Sequence, residues 1–150
     1  MAWMVIRVRG GIHARHDILM TLDQLHLTRP NHATIVPEEA SVRGMIVKVQ
    51  GYVTWGEAEA DTVSLLVKER AEVEGGTRWS AAPTNGGDAP LKSVTDSVMG
   101  NGLVKTPGIK PLFRLHAPKG GWRSTKRPFA HGGALGYRGR TINDLARKMV

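Results

Sequence analysis

Two apolar periodicities alternate along the first seventy residues, and this alternation limits the folds that the chain can adopt. Residues 3–9 have the period of two that is typical of a strand, and the glycines at 10 and 11 end it. Residues 13–27 repeat apolar side chains at helical spacing up to Pro30, whereas residues 33–36 form a short apolar run that predicts a buried strand. The helical face consists of Ile18, Leu19, Leu22 and Leu25.

Residues 41–52 fit two structures. Their β-branched side chains favour a strand, but the spacing of Met45, Ile46 and Val49 also fits one face of a helix capped by Ser41. Periodicity alone leaves both interpretations open.

The next segments add a strand at 52–55 and a helix at 61–73 that is capped by Asp61 and stopped by Gly75 and Gly76. A loop at 75–88, an amphipathic helix at 91–98 and a strand at 109–116 are expected beyond it. Residues 117–140 have no clear period and predict an irregular arm. A final helix, capped by Thr141, would follow, with Ile142, Leu145 and Met149 along one stripe.

Charged residues are distributed unevenly along the chain. Residues 105–150 contain eleven Lys or Arg residues and a single acid, Asp144, whereas residues 57–104 contain eight acids and four bases. This segment combines net positive charge with interleaved glycine, proline and tryptophan. Such a composition is typical of a segment that binds a polyanion. The alternative interpretation is a disordered polybasic tail with generic affinity.

Other classes of function find little support. The absence of cysteine excludes disulfides and thiolate metal sites, and no apolar run approaches the roughly 20 residues of a membrane helix. His13 and His16 have no third metal ligand nearby, and no nucleophile motif or phosphate-binding loop occurs. We therefore expect no catalysis, no metal, no cofactor, no membrane and no small-molecule substrate.

Gly44 is a second indication of a binding surface. Inside a helix, glycine costs about 1 kcal/mol relative to alanine, which is tolerable where the backbone must approach another molecule. Arg43 beside it could then contact a phosphate. Close packing of Gly44 against a neighbouring helix explains the glycine equally well.

Several blocks of the sequence resemble the archaeal form of the large-subunit ribosomal protein L thirty family, whose eukaryotic counterpart is named L seven. The blocks extend over nearly the whole chain in the family's order. They include Arg43-Gly44-Met45-Ile46, Tyr52-Val53-Thr54-Trp55-Gly56-Glu57, Phe113-Arg114-Leu115-His116, Lys126-Arg127-Pro128-Phe129 and Ile142-Asn143-Asp144-Leu145.

The resemblance implies an α+β fold: a two-layer, ferredoxin-like βαβαβ core with an antiparallel sheet, in which residues 41–50 are helical, plus a basic C-terminal extension that ends in a short helix. We expect the core at 1–57, a helical acidic insertion at 58–104 and an rRNA-binding extension at 105–150.

The resemblance also implies a structural, cytoplasmic component of the large ribosomal subunit, bound to large-subunit rRNA near 5S rRNA and to neighbouring ribosomal proteins. Charge and motif position together predict these RNA contacts: Arg29, Asn31, His32, Arg43, Gly44, Lys48, Lys110, Arg114, His116, Lys119, Trp122, Arg123, Lys126, Arg127, Arg138 and Arg140. The alternatives are a free ferredoxin-like ligand-binding or regulatory module and a nucleic-acid enzyme or chaperone acting in trans.

Overall fold

The computed structural model describes residues 1–73, 75–79, 89–106 and 108–150. Its regular elements are six strands, five α-helices and one 3₁₀ turn at Phe129–His131 within those ranges. In chain order they are β1 (Ala2–Arg7), α1 (His16–Gln24), β2 (His32–Pro37), α2 (Ala40–Lys48), β3 (Val53–Glu57), α3 (Ala60–Arg70), α4 (Ala89–Asn101), β4 (Phe113–Arg114), β5 (Ser124–Pro128), β6 (Gly133–Tyr137) and α5 (Thr141–Met149).

All six strands lie in one sheet, in the order β4-β2-β1-β3-β6-β5. The strand β1 is antiparallel to both β2 and β3, with Val5 opposite Thr34 on one side and Trp55 on the other. The pair β2 and β4 is also antiparallel, whereas β6 runs parallel to β3 and to β5. The predicted α+β fold with an antiparallel βαβαβ core is confirmed.

The helices α1 and α2 cover one face of this core. Leu22 of α1 and Ile46 of α2 are fully buried there against Val5 of β1 and Val53 of β3. Because Ile46 and its neighbours belong to α2, the helical alternative is confirmed for residues 41–48, while residues 49 and 50 form a turn. The strand preference of their branched side chains is overridden by burial against the sheet.

The helices α3, α4 and α5 cover the opposite face. Leu66, Val98 and Ile142, one from each helix, are fully buried in a cluster that includes Met4 and Ile6 of β1. Both faces of β1 are therefore buried. Residues 1–57 taken by themselves have two layers, the sheet and the helices α1 and α2, and the helices α3, α4 and α5 cover the other face of the sheet.

The irregular arm predicted for residues 117–140 is wrong in its second half, which contributes β5 and β6 to the sheet. The predicted strand at 109–116 is reduced to Phe113–Arg114. Gly133 permits the close approach of β5 and β6, because a Cβ atom at this position would clash with the carbonyl oxygen of Arg127.

The predicted helix caps are also wrong. The residues that precede α2, α3 and α5 are Glu39, Glu59 and Arg140, and none of them makes a side-chain capping bond. Helix α3 ends at Arg70, before the glycine pair. The loop predicted at 75–88 lies partly outside the described residues.

Candidate nucleic-acid interface

A groove of about 330 Å³ runs between the start of the arm and α5. Four cationic side chains line it, together with the rings of Trp122 and Phe129, and Asp144 is the single acid among its lining residues. The cations are Lys119, Arg123, Arg138 and Lys148. Positive charge and aromatic faces are thus brought to one concave surface.

The arm reaches this position through backbone hydrogen bonds to the end of α5. The His116 N–H donates to the carbonyl of Met149 at 3.0 Å, and the Lys119 N–H donates to that of Lys148 at 3.1 Å. Lys119 and Lys148, which are distant in sequence, are therefore neighbours.

Trp122 is anchored to the core by its indole. Its Nε1–H donates to Oδ1 of Asn31 at 3.2 Å, and Asn31 has the left-handed φ of 68° that asparagine tolerates. The half-buried ring also packs beside Val8 and Leu135. Two predicted RNA contacts, Asn31 and Trp122, thus bind each other and fix the groove wall.

The Arg138 side chain connects the arm to β3 by a hydrogen bond. Its Nε donates to Thr54 Oγ1 at 2.8 Å, one Nη donates to the carbonyl of Ala134 at 2.9 Å, and the guanidinium lies 4.7 Å from the centre of the Phe129 ring. Burial, together with the nearby charge of Arg123, lowers the pKa of Arg138 to about 10. Its internal bonds give Arg138 a structural task in addition to its place in the groove wall.

The outer strand β5 extends the basic surface beyond the groove. Lys126 and Arg127 are exposed on it, and β6 is its neighbour in the sheet. Arg140, directly before α5, is exposed as well.

A second basic surface lies on the outer face of α2. Arg43, Gly44, Val47 and Lys48 are exposed along this face, and Lys48 Nζ is 3.8 Å from a carboxylate oxygen of Asp17. Apart from its chain neighbours and its own helix backbone, a Cβ atom built on Gly44 would meet no atom of the described chain within 4 Å. Packing of Gly44 against a neighbouring helix, one of the two explanations offered by the sequence, is therefore wrong.

The remaining predicted contacts lie near the β2 and β4 edge and are more mixed in charge. Lys110 and Arg114 approach the Glu72 carboxylate at 3.1 and 3.9 Å, while Arg29 and His116 are exposed. His32 is 9% exposed. Burial lowers the pKa of His32, and the charges of Arg114 and Arg29 act in the same direction.

Sequence reasoning missed Lys148 and Phe129 as groove residues. The spacing of Thr141, Asp144 and Lys148 places them on one face of α5, opposite the buried stripe, and this spacing was the available signal. Phe129 carried no signal by itself because it lies in a 3₁₀ turn of only three residues, too short to show a period.

Two other features bear on function. Among residues 1–73, 75–79, 89–106 and 108–150, no three His, Asp or Glu side chains come together as metal ligands would. None of the helices in these ranges has both the length and the apolar character required to cross a bilayer.

The fold and the groove together define a small α+β protein with a basic, aromatic-lined surface, an arrangement typical of nucleic-acid-binding proteins. Residues 3–53 match the family model described as ribosomal protein L30p/L7e. The chain is 40% identical over 158 residues to the large ribosomal subunit protein uL30 of Methanosphaera stadtmanae, an alignment that covers 99% of both chains.

Two further relatives with the same description agree. The protein of Methanococcus maripaludis is 40% identical over 154 residues, with both chains covered completely. That of Korarchaeum cryptofilum is 40% identical over 153 residues, covering 97% of this chain and 93% of the relative. The chain belongs to the ribosomal protein L30p/L7e family, in its archaeal form, as the sequence blocks implied. Membership of this family of structural ribosomal proteins also confirms the expectation that the chain is not an enzyme.

Proposed function

We propose that this protein is a structural constituent of the large ribosomal subunit, located with it in the cytoplasm, and that it binds large-subunit rRNA through the groove and the α2 face. Family membership supports the assignment to the large subunit, because the relatives are named as proteins of that particle. The observation that carries the RNA assignment is the convergence of four cations and two aromatic rings in one groove.

The groove matches the chemistry of folded RNA. Lys119, Arg123 and Lys148 offer charges to backbone phosphates, while the exposed parts of Trp122 and Phe129 can stack on unpaired bases. Arg138 and Asn31 hold the wall through hydrogen bonds within the chain itself, so these bonds do not require RNA. Preformed geometry lowers the ordering cost of binding.

The α2 face suits a different contact. Gly44 leaves the helix backbone uncovered between Arg43 and Lys48, so a phosphate strand can come closer here than a side chain would permit. The two basic surfaces belong to helices on opposite faces of the sheet, α2 and α5. A protein with this arrangement can hold two rRNA segments at once and so support assembly of the particle.

The same proposal includes proximity to 5S rRNA and contacts with neighbouring ribosomal proteins. Both are supported by family membership alone. The predicted contacts outside the groove and the α2 face are Arg29, His32, Lys110, Arg114, His116, Lys126, Arg127 and Arg140, and they stay predictions. No observation among the described residues favours the free ligand-binding module or the enzyme acting in trans.

Salt dependence of rRNA binding tests the proposal. For Lys119→Ala combined with Lys148→Ala, the slope of log affinity against log salt concentration should become shallower by about 1.4 to 1.8, because each lost phosphate contact removes about 0.7 to 0.9 from it. The measurement is filter binding of a large-subunit rRNA fragment over a salt series.

The matched control removes two exposed lysines, Lys68 and Lys92 on α3 and α4, and thus the same net charge. This variant should retain nearly the wild-type slope. Equal slopes for the two double variants would show that affinity depends on net charge alone, and the groove would lose its role.

A further inference from the structure

An aromatic patch on the sheet lies outside both basic surfaces. The ring centres of Trp3 and Trp55 are 5.3 Å apart in an edge-to-face arrangement, and those of Trp55 and Tyr137 are 4.8 Å apart. Trp3 is buried, Trp55 is partly exposed and Tyr137 is 52% exposed. The patch lies on the α1 and α2 side of the sheet, since Trp3 and Trp55 belong to that cluster.

Two carboxylates border this patch. Glu57 is the register partner of Trp3, and its Oε1 accepts a hydrogen bond from the Tyr137 hydroxyl. Glu38 directly follows β2, whose last residue pairs with the first residue of β1. The hydrogen bond to Glu57 raises the pKa of the Tyr137 hydroxyl, and the charges of Glu57 and Glu38 act in the same direction.

The charge of the patch is opposite to that of the whole molecule. The net charge of the chain is +8, yet no Lys or Arg within the described ranges forms an ion pair with Glu38 or Glu57. The neighbouring Glu39 and Glu59 do have such partners, Lys105 at 3.5 Å and Arg147 at 3.4 Å. An RNA strand would bring its phosphates against two unneutralised carboxylates here, so RNA is a poor occupant.

We propose that the patch formed by Trp55, Tyr137, Glu38 and Glu57 is a docking surface for an arginine-containing cationic segment of another protein. A guanidinium stacks on an aromatic face and binds a carboxylate through two parallel N–H bonds, and the patch supplies both groups side by side. The inference rests on the proposed function, because a large-subunit constituent has other ribosomal proteins as neighbours, and it assigns the protein contact to a different surface from the RNA contacts.

Titration of the free full-length protein with a short capped peptide of alternating arginine and glycine tests this inference. Two-dimensional NMR spectra should show peptide-dependent shifts centred on residues 54–57 and 136–138. Replacing both acids, Glu38→Gln with Glu57→Gln, should weaken the peptide affinity by about threefold or more, since two rim ion pairs are lost.

The matched control is Glu69→Gln with Asp96→Asn, which removes two acids from α3 and α4. It should change the affinity less than the patch variant does. Tyr137→Leu tests the ring separately and should also weaken binding, because a leucine keeps apolar area but provides no aromatic face.

Shifts centred elsewhere, equal losses in the two acid variants, or shifts of residues 54–57 caused by an oligouridine RNA would each overturn the inference. These outcomes are distinguishable from failure of the proposed function, which would appear as equal salt slopes of rRNA binding for the groove variant and its control. The peptide titration contains no rRNA and therefore does not depend on RNA binding in the groove.

Discussion

Replacing Gly44 by alanine should stabilise the free protein and weaken its binding to rRNA. Gly44 lies in the interior of α2, and a Cβ atom there meets no atom of the described chain within 4 Å beyond its chain neighbours and its own helix backbone, so the methyl group introduces no clash. Alanine is favoured over glycine in a helix interior by about 0.8 to 1.0 kcal/mol. For a chain of this length, that corresponds to a melting temperature about 2 to 4 °C higher.

The effect on binding should have the opposite sign. If an RNA strand approaches the helix backbone between Arg43 and Lys48, the added methyl group overpacks the contact at a cost of about 1 to 3 kcal/mol. Affinity for the rRNA fragment would then fall by roughly five- to 150-fold. Thermal melts followed by circular dichroism and filter binding measure the two quantities on the same preparation.

Gly100→Ala is the matched control for this experiment. Gly100 lies in α4, where a Cβ atom would also meet nothing within 4 Å beyond its chain neighbours and its own helix backbone, but Gly100 belongs to neither basic surface. The control should stabilise the protein without weakening rRNA binding. Equal rRNA affinities for Gly44→Ala and Gly100→Ala would refute the close approach of RNA to the α2 backbone. A lower melting temperature for Gly44→Ala than for the wild type would refute the free space for a methyl group at position 44.

Three further predictions concern the groove, the core and pH. Lys119→Ala with Lys148→Ala should leave the free energy of unfolding within about 0.5 kcal/mol of wild type, as exposed changes do, and a large loss of stability in a thermal melt would assign these lysines to folding. Leu22→Ala should destabilise by roughly 2 to 5 kcal/mol in urea denaturation, since Leu22 is fully buried, and a wild-type midpoint would show that its packing contributes nothing. The lowered pKa of His32 means that the unfolded chain binds the proton more tightly, so the His32 contribution to stability is present above about pH 6.5 and is lost as the pH falls below it. His32→Gln should flatten this part of a stability profile from pH 7 to 5, and an unchanged profile would contradict the prediction.

The first three elements of the core were predictable because their signals are local. Each of β1, α1 and β2 buries a face whose apolar spacing can be read within a dozen residues. Residues 41–50 needed more information, because branched side chains at helical spacing satisfy two patterns at once. The family resemblance supplied it, and burial of Ile46 against the sheet is the physical reason for the helix.

The strands β5 and β6 could not be predicted from local pattern. The sequence of β5 is Ser-Thr-Lys-Arg-Pro, with mostly exposed side chains, and β6 contains two glycines. Strand β6 depends on pairing with β3, where Thr54 is the partner of Gly136 although 82 residues separate them, and β5 depends in turn on pairing with β6. Non-local pairing of this kind leaves no period in either segment.

The sequence predicted the charge of the candidate site, but it did not predict which side chains come together to form the groove. An excess of cations after residue 105 indicated a polyanion, but which cations meet depends on where the arm binds α5. That contact places Lys148 in the groove, whereas Arg138 is held toward the sheet by its hydrogen bond to Thr54. The division into segments 1–57, 58–104 and 105–150 stays a prediction.

Ultraviolet cross-linking of intact large subunits, followed by mass spectrometry of the cross-linked peptides, tests the central claim most directly. The account predicts rRNA cross-links in two separate stretches of this chain, residues 43–48 on α2 and residues 119–129 around the groove, and none at Tyr137. Large subunits that lack the chain, or cross-links that avoid both stretches, would contradict it.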